Sequence, residues 1–451
     1  MKNRESIDRI AEAMPRPASA SLEKKPAILL AATDRWVPTA RMAMALVTAG
    51  CSVDVVCPSG HPLAKTRVID RMLDYNGLMP VRSIERAIRV TRPDLVIPCD
   101  DLAASHLHEL YRREHARGGA SCEVCTLIER SLGSAAGFEA VRSRSAFLQL
   151  AQEEGIRIPR TQVIENSGDL LNWIAQVGFP MVLKANGTSG GQGVKVVNTV
   201  EEAERALRKL QAPPLAARAL KRALVDRDLT LVWPSFSRRR ATVSAQAFVA
   251  GHEATSAIAC WKGTVIASLH FEVIEKTGST GHATVVRQIE HAEMSDAAVK
   301  VARRLKLSGL HGLDFMLEAE TGKAYLIEIN PRTTQVGHLA LGPGHDLPAA
   351  LFAAITGNKV QSVRKVTEND TIALFPQEWK RNAASPFLTS AYHDVPWEEP
   401  ALVRACVSNL RKQRSLNSRT ALSIQVEPAS SNKAAVSNLQ ATNLIAEQNK
   451  I

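Results

Sequence analysis

Residues 312–332 read GLDFMLEAETGKAYLIEINPR, a stretch in which Asp314, Glu328 and Asn330 have apolar neighbours. A Thr-Gly turn signal follows EAE, and the flanking residues alternate well enough to predict a β-hairpin. Glu328 and Asn330 are two residues apart, so a strand places both side chains on one face. Antiparallel pairing can bring Asp314 across from them. Because Mg²⁺ prefers such hard oxygen donors and completes its shell with water and phosphate oxygens, the hairpin predicts a magnesium site.

This stretch ends with Pro331 and Arg332, and the arginine is a candidate anion-binding residue. Proline has no N–H for a strand ladder, so it ends the second strand and leaves Arg332 just beyond the acids, where it can hold an anion. The alternative is a surface hairpin whose acids are solvated. The apolar neighbours Leu326, Ile327 and Ile329 favour the metal site, because an unpaired buried acid is costly.

A second polar element lies between two apolar runs in FPMVLKANGTSGGQGVKVV, residues 179–197. Its glycines permit positive φ and leave backbone N–H groups free to surround phosphate oxygens, and its hydroxyls add donors. Lys184 adds a positive charge for the same phosphates. No GK[ST] follows the glycines, so this is not a Walker loop, and taken alone it also fits a plain hairpin. The candidate phosphate-binding residues are Lys184, Thr188, Ser189, Gly190, Gly191 and Gly193.

Length and composition restrict the class of protein. With 451 residues the chain can hold two or three domains, and 45% hydrophobic with 22% charged residues is usual for a soluble globular protein. No apolar run approaches a membrane span, and residues 1–24 lack the core of a secretory signal. We therefore expect a cytoplasmic protein with a flexible leader and no membrane partner. Seven scattered cysteines predict no disulfide framework.

The net charge of +11 and the pI near 9.4 raise nucleic acid as a possible partner. Aromatic residues make up only 4% of the chain, and no basic run is interleaved with them. Single-strand binding depends on aromatic stacking platforms, so the arginine clusters are interpreted as solvated faces and no nucleic-acid partner is expected.

Residues 25–113 alternate between apolar strand runs and helical periodicity, which predicts a Rossmann-like parallel sheet with covering helices. The first strand-to-helix turn, ATDRWVPTAR, contains no GxGxxG, so dinucleotide binding is not expected. Asp100 and Asp101 end the DLVIP strand. There they either contact a ligand or, for Asp101, cap the following helix.

DFMLEAETGKAYLIEINPR, preceded by Lys184 and the glycine-rich loop, resembles the metal strand and phosphate loop of the ATP-grasp superfamily. The resemblance implies an α/β fold (α+β grasp), with a pre-ATP-grasp domain at 25–120 and a two-lobed ATP-grasp domain at 121–357. By motif position it implies that Asp314, Glu328 and Asn330 bind the Mg²⁺ ions that bridge ATP phosphates. Residues 358–409 are expected to form an appendage with two packed tryptophans, and 410–451 a disordered tail.

The resemblance also implies further nucleotide contacts. Arg144 stands where the family usually has a lysine that reaches the α-phosphate, and it keeps the charge in a larger, planar group. The backbone of Phe248 and Val249 can pair with the edge of adenine, and Glu253 can reach the ribose or a cation. Gln246 and Ala247 stand where the family often has two glutamates in this hinge.

The implied function is an ATP-dependent ligase that uses Mg²⁺, with Mn²⁺ as a substitute, and forms a carbon–nitrogen bond. It would activate a small-molecule carboxylate as an acylphosphate for attack by an amine, or less often a thiol, and release ADP and phosphate. Lys184 and Arg332 are expected to be catalytic, because this chemistry needs neutralised charge and no side-chain nucleophile. A homodimer is possible.

Two other functions stay open at this point. A catalytically degenerate ATP-binding protein would fit Arg144 and the altered adenine hinge, and a basic nucleic-acid-binding protein would fit the net charge alone. No histidine is assigned a catalytic role. The candidates His270, His282, His291 and His311 are expected to be surface residues or hydrogen-bonded core residues.

Overall fold

The computed structural model describes residues 25–119, 122–185, 193–212, 241–278, 280–358 and 365–408. The chain divides into a large unit, 1–403, and a small one, 404–451, of which the described residues 404–408 are helical. Among the helices in these ranges, none combines the length and apolar character needed to cross a membrane.

The large unit contains strands and helices in an order that starts as alternation and ends as consecutive strands. The strands are β1 (Ala27–Ala31), β2 (Ser52–Cys57), β3 (Arg71–Asp74), β4 (Leu95–Pro98), β5 (Thr161–Ile164), β6 (Met181–Ala185), β7 (Val194–Val197), β8 (Val243–Ala247), β9 (Gly251–Trp261), β10 (Thr264–Lys276), β11 (Ala283–Gln288), β12 (Gly309–Glu318), β13 (Ala324–Asn330), β14 (Thr371–Ala373) and β15 (Tyr392–His393).

The α-helices cover these sheets. They are α1 (Val37–Thr48), α2 (Pro80–Thr91), α3 (Asp101–Gly118), α4 (Glu123–Leu132), α5 (Phe138–Arg142), α6 (Arg144–Glu153), α7 (Ser167–Val177), α8 (Val200–Gln211), α9 (Ala292–Leu305), α10 (Leu347–Thr356), α11 (Gln377–Arg381) and α12 (Phe387–Ser390).

The N-terminal sheet is parallel, with strand order β3-β2-β1-β4. Its central strand β1 is the continuous apolar run AILLA, as expected for a strand with helices on both faces of the sheet. The chain moves outward from β1 to β3 and then returns to the other side of β1. The reversal places the carboxyl ends of β1 and β4 side by side, which is where open α/β sheets bind ligands.

Two further sheets form the rest of the large unit and confirm the expected two lobes. The smaller is antiparallel, with order β5-β8-β6-β7, and its Leu183 shares a buried cluster with Trp173 of α7 and Leu207 of α8. The larger has order β13-β12-β9-β10-β11-β14-β15, and its core includes Phe147 of α6 and Phe315 of β12. The fold is therefore the α/β (α+β grasp) architecture predicted from the sequence.

Several local predictions are corrected by the structure. The apolar spacing of residues 137–155 and their terminal glycine predict one helix, but Ser143 has extended backbone and caps α6, so α5 and α6 are separate. Asp100, not Asp101, caps α3 by accepting a hydrogen bond from the Ala103 amide at 2.8 Å. Strand β3 was missed because its RMLD sequence is mostly exposed.

The segment expected as an appendage, 358–409, is partly built into the larger sheet. β14 pairs with β11, and β15 pairs with β14. Trp379 stacks on Phe375 with ring centroids 6.4 Å apart, but Trp397 is 60% exposed and does not pack as expected. The leader (1–24) and the tail (410–451) lie outside the described residues.

Candidate active site

The hairpin of β12 and β13 brings the three predicted metal ligands together. Asp314 pairs across the strands with Glu328, and Gly312 pairs with Asn330. A register shift directly after Asp314 marks a bulge, a feature that re-aims side chains at functional sites. Asp314 accepts hydrogen bonds from the Thr255 hydroxyl at 2.9 Å and from the Asn330 amide at 2.8 Å. All three predicted ligands line one cavity of about 570 Å³.

The two acids make this part of the cavity favourable for a cation. Burial and the neighbouring charge of Glu328 raise the pKa of Asp314 to about 6. Two adjacent carboxylates in a buried place repel one another unless a cation compensates them. Their hard oxygens suit Mg²⁺, so the residues fit the ion predicted from the sequence. The Asn330 Oδ1 accepts from Arg332 at 3.1 Å and keeps a second lone pair that can ligate the ion.

Arg144 also lies against the hairpin of β12 and β13, called the metal hairpin below because it carries the three candidate metal ligands. Its Nη2 donates to Glu328 Oε2 at 2.5 Å, and its Nη1 donates to the Ala185 carbonyl at 3.3 Å. The side chain is only 11% exposed. Arg144 is not among the described residues that line the cavity. Its guanidinium group therefore neutralises Glu328 directly, in addition to any phosphate contact implied by the family position.

Lys184 is the buried cation of the cavity wall. It lies on β6 and is 7% exposed. Burial and the nearby charge of Arg144 lower the pKa of Lys184 to about 8, although carboxylates including Glu328 oppose this shift. An ammonium group in this position gains most from an anionic ligand, since phosphate oxygens would compensate its lost hydration.

Arg332 is fixed by three acceptors. Its Nε donates to Asp101 Oδ1 at 2.9 Å, its Nη1 to the Thr333 carbonyl at 3.3 Å, and its Nη2 to Asn330. Asp101 comes from the start of α3, so this ion pair joins the N-terminal sheet unit to the metal hairpin. Asp101 is thus a partner of the candidate catalytic arginine, which the helix-cap interpretation did not anticipate.

The predicted adenine hinge also faces the cavity. Phe248 and Val249 lie between β8 and β9 and line it, and Phe248 is 41% exposed. Glu253 lines it too, and accepts a hydrogen bond from Lys276 Nζ at 2.6 Å. The hinge residues are therefore placed where a nucleotide base could contact their backbone.

The glycine-rich loop is described only at its end. Gly193 accepts a hydrogen bond through its carbonyl from the Ala185 amide at 2.9 Å, which closes the loop between β6 and β7. The other loop candidates lie outside the described residues; they are Thr188, Ser189, Gly190 and Gly191.

The cavity residues that the sequence analysis did not indicate include Trp36, Thr255 and Lys276. Trp36 stands in the turn after β1, and an aromatic residue at the end of a parallel strand was a usable signal. Among the histidines, His270 is buried between the Ser256 and Ser295 hydroxyls at 2.7 and 3.0 Å, as expected for a hydrogen-bonded core residue. His282 lines the cavity.

Comparison with known proteins identifies a related family and structures with a similar fold. Residues 143–342 match the family described as carbamoyl-phosphate synthase L chain, ATP binding domain. The carbamoyl phosphate synthase large chain of Thermus thermophilus is 24% identical over 322 residues, which are 62% of this chain and 29% of that protein. The chain thus spans less than a third of the length of that relative.

Solved structures share the fold. An ADP complex of N5-carboxyaminoimidazole ribonucleotide synthetase has a TM-score of 0.53 at 16% identity, covering 76% of this chain and 80% of that one. The biotin carboxylase domain of the Hydrogenobacter thermophilus 2-oxoglutarate carboxylase has a TM-score of 0.52 at 13% identity, covering 74% and 70%. At these sequence identities the structural similarity shows a shared fold.

Proposed function

Because the chain belongs to the ATP-grasp superfamily, we propose that it is an ATP-dependent ligase. It activates a small-molecule carboxylate as an acylphosphate, which an amine, or less often a thiol, then displaces. One observation carries the proposal: a single cavity holds the acids Asp314 and Glu328 together with the cations Lys184 and Arg332. Phosphoryl transfer needs this combination, because catalysis consists mainly of positioning and charge neutralisation.

The first step joins the substrate carboxylate to phosphorus. A carboxylate oxygen attacks the γ-phosphorus of ATP, and the bond from that phosphorus to the β,γ-bridging oxygen breaks, so ADP leaves. Asp314, Glu328 and Asn330 would hold Mg²⁺, which neutralises phosphate charge when it is bound. Mn²⁺ shares the preference for oxygen donors and is proposed as a substitute. Lys184 offers its ammonium group to the phosphates, and Arg332 orients the anionic substrate.

In the second step the amine attacks the acyl carbon, phosphate leaves, and the amine nitrogen loses a proton. No side-chain nucleophile takes part, so no histidine is needed. The nucleotide base is proposed to contact the backbone of Phe248 and Val249, with Glu253 near the ribose. Thr188, Ser189, Gly190, Gly191 and Gly193 are proposed to provide phosphate contacts from the glycine-rich loop, and Arg144 a further one.

One contact favours a second candidate function, an ATP-binding protein without turnover. Arg144 already neutralises Glu328 at 2.5 Å, so a guanidinium competes with Mg²⁺ for that carboxylate. Turnover and binding therefore have to be measured separately.

The test is ADP release over a panel of carboxylates and amines, with Mg·ATP binding followed by calorimetry. We expect ADP release only when a matching acid and amine are both present. Glu328→Gln and Asp314→Asn should abolish turnover and weaken Mg·ATP binding, while the melting temperature stays near that of the wild type. The matched control is Glu320→Gln in the exposed hairpin turn, which should change neither quantity. Near-normal activity of either site variant at saturating Mg²⁺ would refute the metal assignment, and tight Mg·ATP binding without turnover for any pair would favour the second candidate.

A further inference from the structure

Trp36 connects the N-terminal sheet unit to the cavity. Among the described cavity-lining residues, it is the one that comes from residues 25–119. It follows β1 and is the N-cap residue of α1, so it stands beside the carboxyl end of β1. The reversal of strand order next to β4 makes this edge the expected ligand crevice of the sheet. A ligand in this crevice meets an indole ring.

Arg332 lies next to this ring and retains hydrogen-bonding capacity. Its guanidinium carbon is 5.8 Å from the centre of the Trp36 ring. A guanidinium group has five N–H donors, one on Nε and two on each terminal nitrogen. The hydrogen bonds given above use one donor on each of its three nitrogens. Each terminal nitrogen therefore keeps one N–H beyond those bonds, which suits a carboxylate that binds through both oxygens.

The position of Arg332 links this crevice to the reaction. Its Nη2 contacts Asn330, a proposed metal ligand, and Asn330 contacts Asp314. A carboxylate held by Arg332 is thus adjacent to the place where the metal and the γ-phosphate would be held. His282 completes the surroundings, with its ring centroid 5.8 Å from that of Trp36 at an interplanar angle of 41°.

The part of the cavity next to Trp36 and Arg332 disfavours a cationic or purely aliphatic ligand. An ammonium group would be repelled by Arg332, whose nearest acid, Asp101, is already paired with it at 2.9 Å. An aromatic wall gains more from a flat ring than from a saturated one, because π-systems prefer stacked or edge-to-face contacts. A flat ring and a carboxylate together satisfy both Trp36 and Arg332.

We propose that the acid activated by this enzyme carries its carboxylate on a flat ring, and that Trp36 is the specificity-determining residue that selects the ring. This inference rests on the proposed ligase function and names the substrate class of the same cavity.

The test compares the affinities of three probes for the full chain with Mg·ADP present. Benzoate has both features, cyclohexanecarboxylate keeps the charge and the size but is not flat, and benzamide keeps the ring without the charge. Ligand-observed NMR titration gives each Kd without any need for turnover. Wild type should bind benzoate roughly twofold to tenfold more tightly than cyclohexanecarboxylate, as expected for one aromatic contact, and should bind benzamide more weakly than benzoate.

Two variants assign the selection to Trp36. Trp36→Leu should bind benzoate and cyclohexanecarboxylate equally, and Trp36→Phe should keep most of the preference. Equal binding of the two acids by wild type, no benzoate binding, or an unchanged preference in Trp36→Leu would each overturn the inference. ADP affinity is measured in the same samples. Normal ADP binding without ring preference refutes only this inference, whereas absent ADP binding in wild type refutes the proposed function. The wild-type comparison decides even if Trp36→Leu does not fold.

Discussion

Lys184 and Arg144 are two cations near the same carboxylate, and their surroundings differ. Lys184 lines the cavity and forms no ion pair within the described ranges, whereas Arg144 is paired with Glu328 at 2.5 Å. We therefore expect Lys184→Ala to raise the ATP Kd by about tenfold or more, the usual effect of losing one charge-assisted contact. Arg144→Ala should raise it less.

Calorimetric titration of both variants with Mg·ATP measures which substitution raises the ATP Kd more. A matched control is Lys195→Ala, since Lys195 follows on β7 with its side chain exposed. If Arg144→Ala weakens binding more than Lys184→Ala does, the main phosphate contact belongs to Arg144.

The depressed pKa of Lys184 predicts that the affinity for ATP depends on pH. Its pKa is about 8 without ligand, below the ordinary value of 10.5, so the ammonium group loses its proton as pH rises through 8. Phosphate binding favours the charged form, and ATP should therefore bind with proton uptake. The ATP Kd is expected to be lowest below pH 8 and to rise above it.

The control for this pH dependence is Lys184→Arg, because arginine stays charged across the range. Calorimetry in two buffers of different ionisation enthalpy measures the proton uptake directly. Wild type should take up protons near pH 8.5 and Lys184→Arg should not. Equal uptake by both proteins would mean that another group titrates.

At the scale of elements, Gly251 determines how closely β9 and β12 approach. A Cβ built on this residue would lie 1.9 Å from the Leu317 carbonyl oxygen, a contact that no side chain can adopt. Gly251→Ala should therefore push the strands apart and cost about 1–3 kcal/mol or more. β9 also carries Thr255, whose hydroxyl donates to Asp314, so the variant should weaken Mg·ATP binding as well.

Thermal melting with and without Mg·ATP measures both effects. Gly118→Ala is the control, because its added Cβ would meet its nearest neighbour, Cys122, at an ordinary 3.8 Å. This helical position should gain slightly, since alanine favours a helix over glycine. Equal melting of Gly251→Ala and wild type would show that the strands can separate without cost.

Which elements the sequence predicts depends on where their stabilising contacts lie. The apolar runs of β1, β2 and β4 and the metal hairpin were predicted, because their periodicity reflects burial directly. The break between α5 and α6 was not, since Ser143 acts through its backbone conformation and a local cap. Strand β14 was also missed: its three residues are a strand only through pairing with β11.

In the candidate site, too, the sequence predicts contacts within one element better than contacts between distant elements. Asp314, Glu328 and Asn330 are neighbours within one hairpin, so alternation was enough to bring them together. Trp36 and Asp101 reach the site across the interface with the N-terminal sheet. The carboxyl end of a parallel strand marks such positions as candidates, but no local pattern encodes their contact with the hairpin of β12 and β13. The Arg144–Glu328 pair is likewise a contact between distant parts of the chain, since the two residues are 184 positions apart.

At the scale of the whole large unit, a buried ionic cluster joins three distant segments. It consists of Arg41 of α1, His338 in the segment after β13, and Asp394 directly after β15, and these residues are 9%, 8% and 1% exposed. Asp394 accepts hydrogen bonds from Arg41 and, at 2.7 Å, from His338. The segment that carries His338 also carries Gln335 and Val336, which line the cavity. The cluster therefore holds one wall of the cavity against α1.

Removing the central carboxylate should destabilise this unit strongly. Asp394→Asn removes the buried counter-charge of Arg41 and leaves only the exposed Glu398. Breaking a buried pair costs about 3–5 kcal/mol. We expect a clearly lower melting temperature for Asp394→Asn. The matched control is Glu398→Gln, because Glu398 contacts the same arginine at 3.5 Å but its side chain is 64% exposed. An exposed pair contributes at most about 1 kcal/mol, so this control should melt close to wild type.

The pH dependence of the melting temperature tests whether the loss of the Asp394 charge causes the destabilisation. Burial alone would raise the pKa of Asp394, but His338 and Arg41 hold it below its ordinary value. A carboxyl group of this kind stabilises the folded state above its unfolded pKa, and the effect is lost as pH falls through the lower folded pKa. The gap in melting temperature between wild type and Asp394→Asn should thus be constant near neutral pH and shrink in acid. A gap that is absent at neutral pH would show that α1 and the cavity wall are held together by apolar packing, for instance of Met42 against Gly337.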